Sequence, residues 1–144
     1  MLFETDVIDA VCGNLKAHGF TILQRLSPTE HGIDVIAKRG EPSPFELSIE
    51  AKGGTSERKG SQRYGKPFDS AQVKIHVAES FYTAAQLLSA ERNHISRRVG
   101  IALPQDPLHQ RYVVSVQPAL TALGVGVFWV TSDKRVFLVA PWQL

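Results

Sequence analysis

Residues 45–52, FELSIEAK, alternate without a break: Phe45, Leu47, Ile49 and Ala51 fall on one side of an extended chain, and Glu46, Ser48, Glu50 and Lys52 on the other. The pattern specifies a strand with one face in a core and the other toward something polar. Upstream, IDVIAKR reads as a second strand over about residues 32–39, and GEPSP between them is a turn. Opposed residues of an antiparallel hairpin have a constant sum, so Asp34 facing Glu50 puts the centre at Pro42, inside that turn. Opposed residues share a face with Cβ atoms about 4.5–5.5 Å apart, and Lys52 joins that face two positions along.

This register gives Asp34 a reason to exist. Aspartate is depleted in strands, and between Ile33 and Val35 it needs a partner or water. Two opposed carboxylates raise each other's pKa unless a cation lies between them. Mg²⁺, with Mn²⁺ as its substitute, is a hard ion that takes oxygen ligands and keeps several waters. Such an ion polarises a phosphoryl oxygen and lowers the pKa of a bound water. Lys52 beside it would orient the attacking water, assist its deprotonation, or neutralise charge in the transition state. A Glu and a Lys two apart on a strand are, by themselves, far more often the mark of a solvated face.

The remaining elements follow from periodicity. Residues 4–18 place Ile8, Val11 and Leu15 on one helical stripe, with Glu4 a turn earlier and Gly19 in the position of a left-handed cap. FTILQRL (20–26) is a strand and SPTEHG a turn. Asp69 or Ser70 caps a long helix carrying Val73, Val77, Phe81, Ala84 and Leu88 and ending near Arg92. SRRVGIALP is a buried strand. Residues 108–123 read as a helix that Pro118 interrupts or kinks, although YVVSV within it has strand character. GVGVFWVTSD and KRVFLVA are two short strands around a Ser-Asp turn, with Phe128 and Trp129 as core. The order predicts an α/β fold with a mixed central β-sheet flanked by helices, in one domain over residues 1–144.

Composition narrows the setting. No apolar run approaches the length of a membrane span, and mean hydropathy is −0.09. The start, MLFETDVIDAV, lacks a basic, then apolar, leader, so a cytoplasmic location is expected. Cys12 is alone and lies on the apolar helical stripe, where core filler is the simplest role. Net charge is only +2, but its distribution is uneven. Residues 53–68, GGTSERKGSQRYGKPF, hold Arg58, Lys59, Arg63 and Lys66 against Glu57, with four glycines. This reads as a mobile basic loop that begins next to Lys52, a clamp on nucleic-acid phosphates in preference to an ordinary solvated loop.

GIDVIA, a turn, and then LSIEAKGG resemble the signature of the PD-(D/E)XK nuclease superfamily, in which an Asp begins one strand and a Glu-x-Lys ends the next. The elements from residue 4 to about 103 are similar to that family's restriction-endonuclease-like αβββαβ core, leaving a C-terminal helix and strands as additions. The resemblance implies that Asp34 and Glu50 hold a metal ion, that the Ala51 carbonyl is a further ligand, and that Lys52 is the catalytic lysine. Ile33 stands where the family name has proline.

Some members place an acidic residue of the first helix near the metal, and Glu4 is the match, although any first turn favours acids through its dipole. Asp6 and Asp9 fall on the other side and are expected in solvent. Gln72 resembles a glutamine that several subfamilies use near the site, and His76 is one turn on; a solvated helix edge accounts for the pair equally well. Lys74 is a weaker candidate. His18, His31, His94 and His109 show no paired metal spacing, though His31 lies close enough in sequence to Asp34 to touch substrate. The resemblance implies a Mg²⁺-dependent nuclease acting on DNA, an endonuclease of repair, recombination or defence, as a homodimer or with a recognition subunit. The alternative is a non-catalytic nucleic-acid-binding module that keeps the fold.

Overall fold

A computed structural model describes residues 1–40, 44–90 and 96–144. The elements are α1 (Glu4–Ala17), β1 (Thr21–Arg25), β2 (Val35–Arg39), β3 (Phe45–Ala51), α2 (Ser70–Ser89), β4 (Arg97–Pro104), α3 (Pro107–Leu123), β5 (Val125–Val130) and β6 (Val136–Val139). The six strands form one sheet in chain order. β1, β2 and β3 are antiparallel neighbours, β4 and β5 continue in parallel, and β6 turns back antiparallel. Each parallel pair requires a crossover, supplied by α2 and α3. Both crossovers advance the same way across the sheet, so a common hand puts both helices on one face, and α1 covers the other.

Each layer owns a core. Val7, Ile8, Val11, Cys12 and Leu15 of α1 pack on Phe45, Leu47, Ile49 and Ala51 of β3 and on Phe128. Val73, Val77 and Ala84 of α2 pack with Val113 and Leu120 of α3 on Val99, Ile101, Leu103, Val127 and Trp129. With both faces covered, all six residues of β5 are buried. Among the described residues no helix is long and apolar enough to cross a membrane.

Local chemistry sets the helix ends. The Phe3 N–H donates to Asp6 Oδ2 at 2.9 Å at the start of α1. Beyond its end Gly19 takes φ 84°, its N–H reaching Lys16 O and the Phe20 N–H reaching Leu15 O, each at 3.0 Å, which satisfies two orphan carbonyls. Asp69 caps α2 by accepting from the Gln72 N–H at 2.8 Å.

Several expectations need adjustment. Val35 lies opposite Ile49 and Ile36 opposite Ser48, so the pairing sum is that of Asp34 with Glu50; the centre at Pro42 lies outside the described residues. Asp34 stands one residue before β2 rather than within it, its carbonyl accepting from the Leu26 N–H at 2.9 Å. The polar face of β3 is no open surface: α2 covers it, and Ser48 is fully buried, accepting from Arg97 Nη2 at 2.9 Å. YVVSV is helical: Val113 is buried against the sheet with Tyr112 and Val116 packed beside it, while Val114 is exposed, and α3 continues through Pro118. Asp6 is half-buried, bonded to Phe3 and to Lys134 Nζ at 2.9 Å, whereas Asp9 is exposed beside Arg25. The expected α2 end near Arg92, and His94, lie outside the described residues.

Candidate functional site

The site is assembled where β3 runs out. Asp34 Oδ2 accepts from the Ala51 N–H at 2.8 Å, which ties the residue before β2 to the last residue of β3. The Asp34 and Glu50 carboxyls lie within hydrogen-bonding reach of each other, so a proton on one can be shared with the other. The N–H and C=O of one strand residue point to the same edge, which turns the Ala51 carbonyl toward the Asp34 side. Lys52 Nζ lies 3.3 Å from Glu50 Oε1 and 3.6 Å from Glu79 Oε2 of α2.

Glu4 comes from the opposite layer. The first turn of α1 rests against the chain just after Lys52, and a Cβ on Gly53 would stand 2.4 Å from Glu4 N. Only glycine permits that approach. The Gly54 N–H then donates to Leu2 O at 2.8 Å, and Glu57 accepts from Thr5 N at 3.2 Å and Thr5 Oγ1 at 2.6 Å. The start of α1 is thus bonded to the segment that follows the Glu-x-Lys strand.

Three acids and one lysine make this corner electrostatically overloaded. Burial first, then Asp34, pushes the Glu50 carboxyl up to about 7. Burial, Asp34 and Glu50 push Glu4 to about 7 as well. Asp34 is raised by burial against the opposing effect of the Ala51 N–H and Lys52. Burial works against the Lys52 charge, but Glu50 and Glu4 outweigh it and raise its pKa. Burial and then Lys52 lower the His76 pKa, which favours its neutral form.

A cleft of about 700 Å³ opens beside this corner, lined by Glu4, Lys52, Thr29, Arg58, Phe68 and His76 among others. Asp34 and Glu50 are not in its lining. Gln72 links the cleft to the basic segment: its Nε2 lies 3.1 Å from His76 Nε2, and its Oε1 accepts from Arg63 at 2.9 Å. Of the four cations expected on nucleic acid, Arg58 faces the cleft, Lys59 and Lys66 are exposed, and Arg63 is engaged by Gln72 and Asp69. Lys74 and His31 are exposed and line none of this cleft. Residues 53–68 have contacts of their own, with Tyr64 stacked on Phe3 and Thr55 Oγ1 donating to Arg63 O at 3.1 Å.

Two acids escaped the sequence reading. Glu79 had a signal, since Gln72, His76 and Glu79 lie at i, i+4 and i+7 on one side of α2. Glu57 had none, because its partner Thr5 is 52 residues away. Among the described residues no group of three or more His, Cys, Asp or Glu side chains is disposed to hold a metal ion.

No family model matches the chain, and no curated protein matches it. Among solved structures, that of SfsA from Pyrococcus furiosus in complex with Ca²⁺ is similar at 14% identity and a TM-score of 0.37, covering 98% of this chain and 60% of that one. This chain thus spans 60% of the length of that structure's chain, and a likeness of that strength carries nothing about activity.

Proposed function

We propose that the chain is a Mg²⁺-dependent deoxyribonuclease of restriction-endonuclease-like architecture. The observation that carries the reading is the convergence of Asp34, Glu50, Lys52 and Glu4 at the end of β3, where buried negative charge exceeds positive. The order helix, three antiparallel strands, helix, parallel strand from α1 to β4 supports the architectural part. The donors suit a hard divalent ion in kind: Asp34, Glu50, the Ala51 carbonyl and Glu4 offer only oxygen, and burial followed by the neighbouring acids pushes Glu50 and Glu4 up to about 7. A bound Mg²⁺ or Mn²⁺ would supply Lewis acidity toward a phosphoryl oxygen and a more acidic water.

The chain's own groups do the rest. Lys52 Nζ, released from Glu50, donates to the attacking water or to a phosphate oxygen and offsets the charge that accumulates there. Arg58, Lys59 and Lys66 hold phosphates of the same strand along the cleft, with Arg63 fixed against Gln72. His76, neutral and bonded to Gln72, is a positioning residue of the cleft wall. DNA is the substrate in this reading, and a second copy or another subunit supplies recognition.

A specific observation favours a second reading, a nucleic-acid-binding module without catalysis. Asp34 and Glu50 lie within reach of each other, Lys52 is paired with two carboxylates, and neither Asp34 nor Glu50 lines the cleft. One experiment separates the two. Wild type and Lys52→Ala are incubated with supercoiled, linear, branched and single-stranded DNA, and with RNA, in Mg²⁺ or Mn²⁺. The nuclease reading expects cleavage by wild type that Lys52→Ala loses with its melting temperature kept. Salt-dependent binding without cleavage of any substrate leaves the binding module.

A further inference from the structure

The sheet ends on two unlike edges. β1 carries a register irregularity between Ile22 and Gln24 and closes on Arg25, which pairs with Asp9. Irregular register and charged side chains are what keep an edge from pairing with another chain. β6, at the other end, reads Val-Phe-Leu-Val, with neither a charge nor a proline inside it. The direction of its peptide groups follows from its neighbours. Val130 O accepts from the Gln105 N–H at 2.8 Å, on the side away from β6, whereas the Thr131 N–H donates to Arg135 O at 2.9 Å. By alternation Trp129 and Val127 also bond toward β6, and their partners Phe137 and Val139 turn their peptide groups to β5. The N–H and C=O of Val136 and Leu138 therefore point outward, and they have no partner among the described residues.

This edge is held in place at both ends. The Arg135 N–H donates to Thr131 Oγ1 at 3.0 Å in the turn that enters β6. Beyond β6, Trp142 Nε1 donates to Gly124 O at 2.7 Å and its ring lies against Phe45 and Phe128, which carries the chain back over the α1 face rather than along the edge. Phe137 and Val139, opposite Trp129 and Val127, share the sheet face that α3 covers, yet they are 49% and 46% exposed. Val114 is 68% exposed on α3. Tyr112, one residue before buried Val113, bonds Ser70 of α2, so Val114, one residue after it, lies on the flank turned from α2 toward β6. An apolar strip thus accompanies the unpaired backbone.

We propose that β6 pairs antiparallel with β6 of a second copy of this chain, about a two-fold axis normal to the sheet, joining the two sheets into one. The edge specifies its own copy as occupant. Leu138 opposite Leu138, or Val136 opposite Leu138, sets each outward N–H of one copy against a C=O of the other. These registers lay Phe137 across from the second copy's Val139 or Phe137 respectively, on the face that both α3 helices flank with Val114. A two-fold pair uses up the edge and stops at two. The surface is modest, near the low end of about 1,000 Å² for specific interfaces, so the pair forms in a concentration-dependent equilibrium. The inference holds whether or not the site above cuts DNA.

Sedimentation of the full chain from micromolar to submillimolar concentration tests it. Wild type should pass from monomer to dimer. Phe137→Lys, which sets like charges across the seam, should stay monomeric throughout with its melting temperature at low concentration unchanged. Val136→Pro removes one outward N–H from each copy while keeping the bonds to β5, and should raise the dissociation constant about tenfold or more. Tyr82→Lys, at an exposed position of α2, should leave the equilibrium as it is. If Phe137→Lys fails to fold, wild type and Val136→Pro still decide. Wild type that is monomeric throughout overturns the pairing and leaves the edge to an extended segment of another protein. A dimer untouched by both β6 variants, or weakened as much by Tyr82→Lys, lies on a different surface and overturns it, and so do species that keep growing past two.

Discussion

The polar face of β3 carries two glutamates four residues apart, and they live in different chemistry. Glu46, at the start of the strand, has Arg97 Nε 3.8 Å away, and the same guanidinium bonds Ser48. Glu50, at the end, shares its lysine with Glu79, is bonded to Asp34 and feels Glu4. Their side chains are 28% and 13% exposed. Both are acid-base pairs on one strand face beneath one helix. Glu46 meets its charge balance locally, whereas Glu50 belongs to a group in which acids outnumber bases. A carboxylate on a sheet face is therefore no sign of chemistry; a surplus of them converging without enough cations is.

The largest expected effect sets these ends against each other. Asp34→Asn should lower DNA cleavage by about 10³-fold, the scale of losing one preorganised charged group, while Glu46→Gln changes it less than about twofold. Initial rates on one cleaved substrate measure both, and comparable losses would dissolve the distinction drawn here. Next in size is the joint between layers. Gly53→Ala would force a Cβ to 2.4 Å from Glu4 N, and should cost about 2–3 kcal/mol in urea unfolding. Gly13→Ala, which meets nothing within 4 Å in the same helix, should gain up to about 1 kcal/mol.

The smallest effect is the most specific to the overloaded corner. Glu50 titrates near 7 when folded and near 4.5 as a free side chain. Between those values the folded protein holds a proton that the unfolded chain has released, so stability falls as pH rises through that window. Without divalent ions the urea midpoint of unfolding should therefore fall as pH is raised from 4.5 to 7. Glu50→Gln should make the profile shallower, leaving the part that Glu4 contributes, Glu46→Gln should leave it, and Mg²⁺ added above pH 7 should restore part of the loss to wild type. A flat wild-type profile would mean that the carboxylates do not crowd one another.

Much of this was legible in the sequence because strand patterns are local. FELSIEAK fixes by its period of two which side chains share a face, and a short turn fixes the register, so Asp34, Glu50 and Lys52 could be set together from residue numbers alone. The helical stripes of α1 and α2 were equally plain. YVVSV was ambiguous because β-branched residues serve a buried helix face as well as a strand. Asp6 was misplaced because its partner Lys134 lies 128 residues away.

The sequence by itself determined the strands, their faces and the pairing of two carboxylates, since those depend on backbone periodicity and neighbouring residues. Only the tertiary structure decided how much that pairing costs. The long helix closes over the polar face and removes its water, while Gly53 lets the first helix press close enough to add Glu4. Which atoms lose solvent, and which charges then face one another, is settled by packing between distant segments, and packing has no period to read.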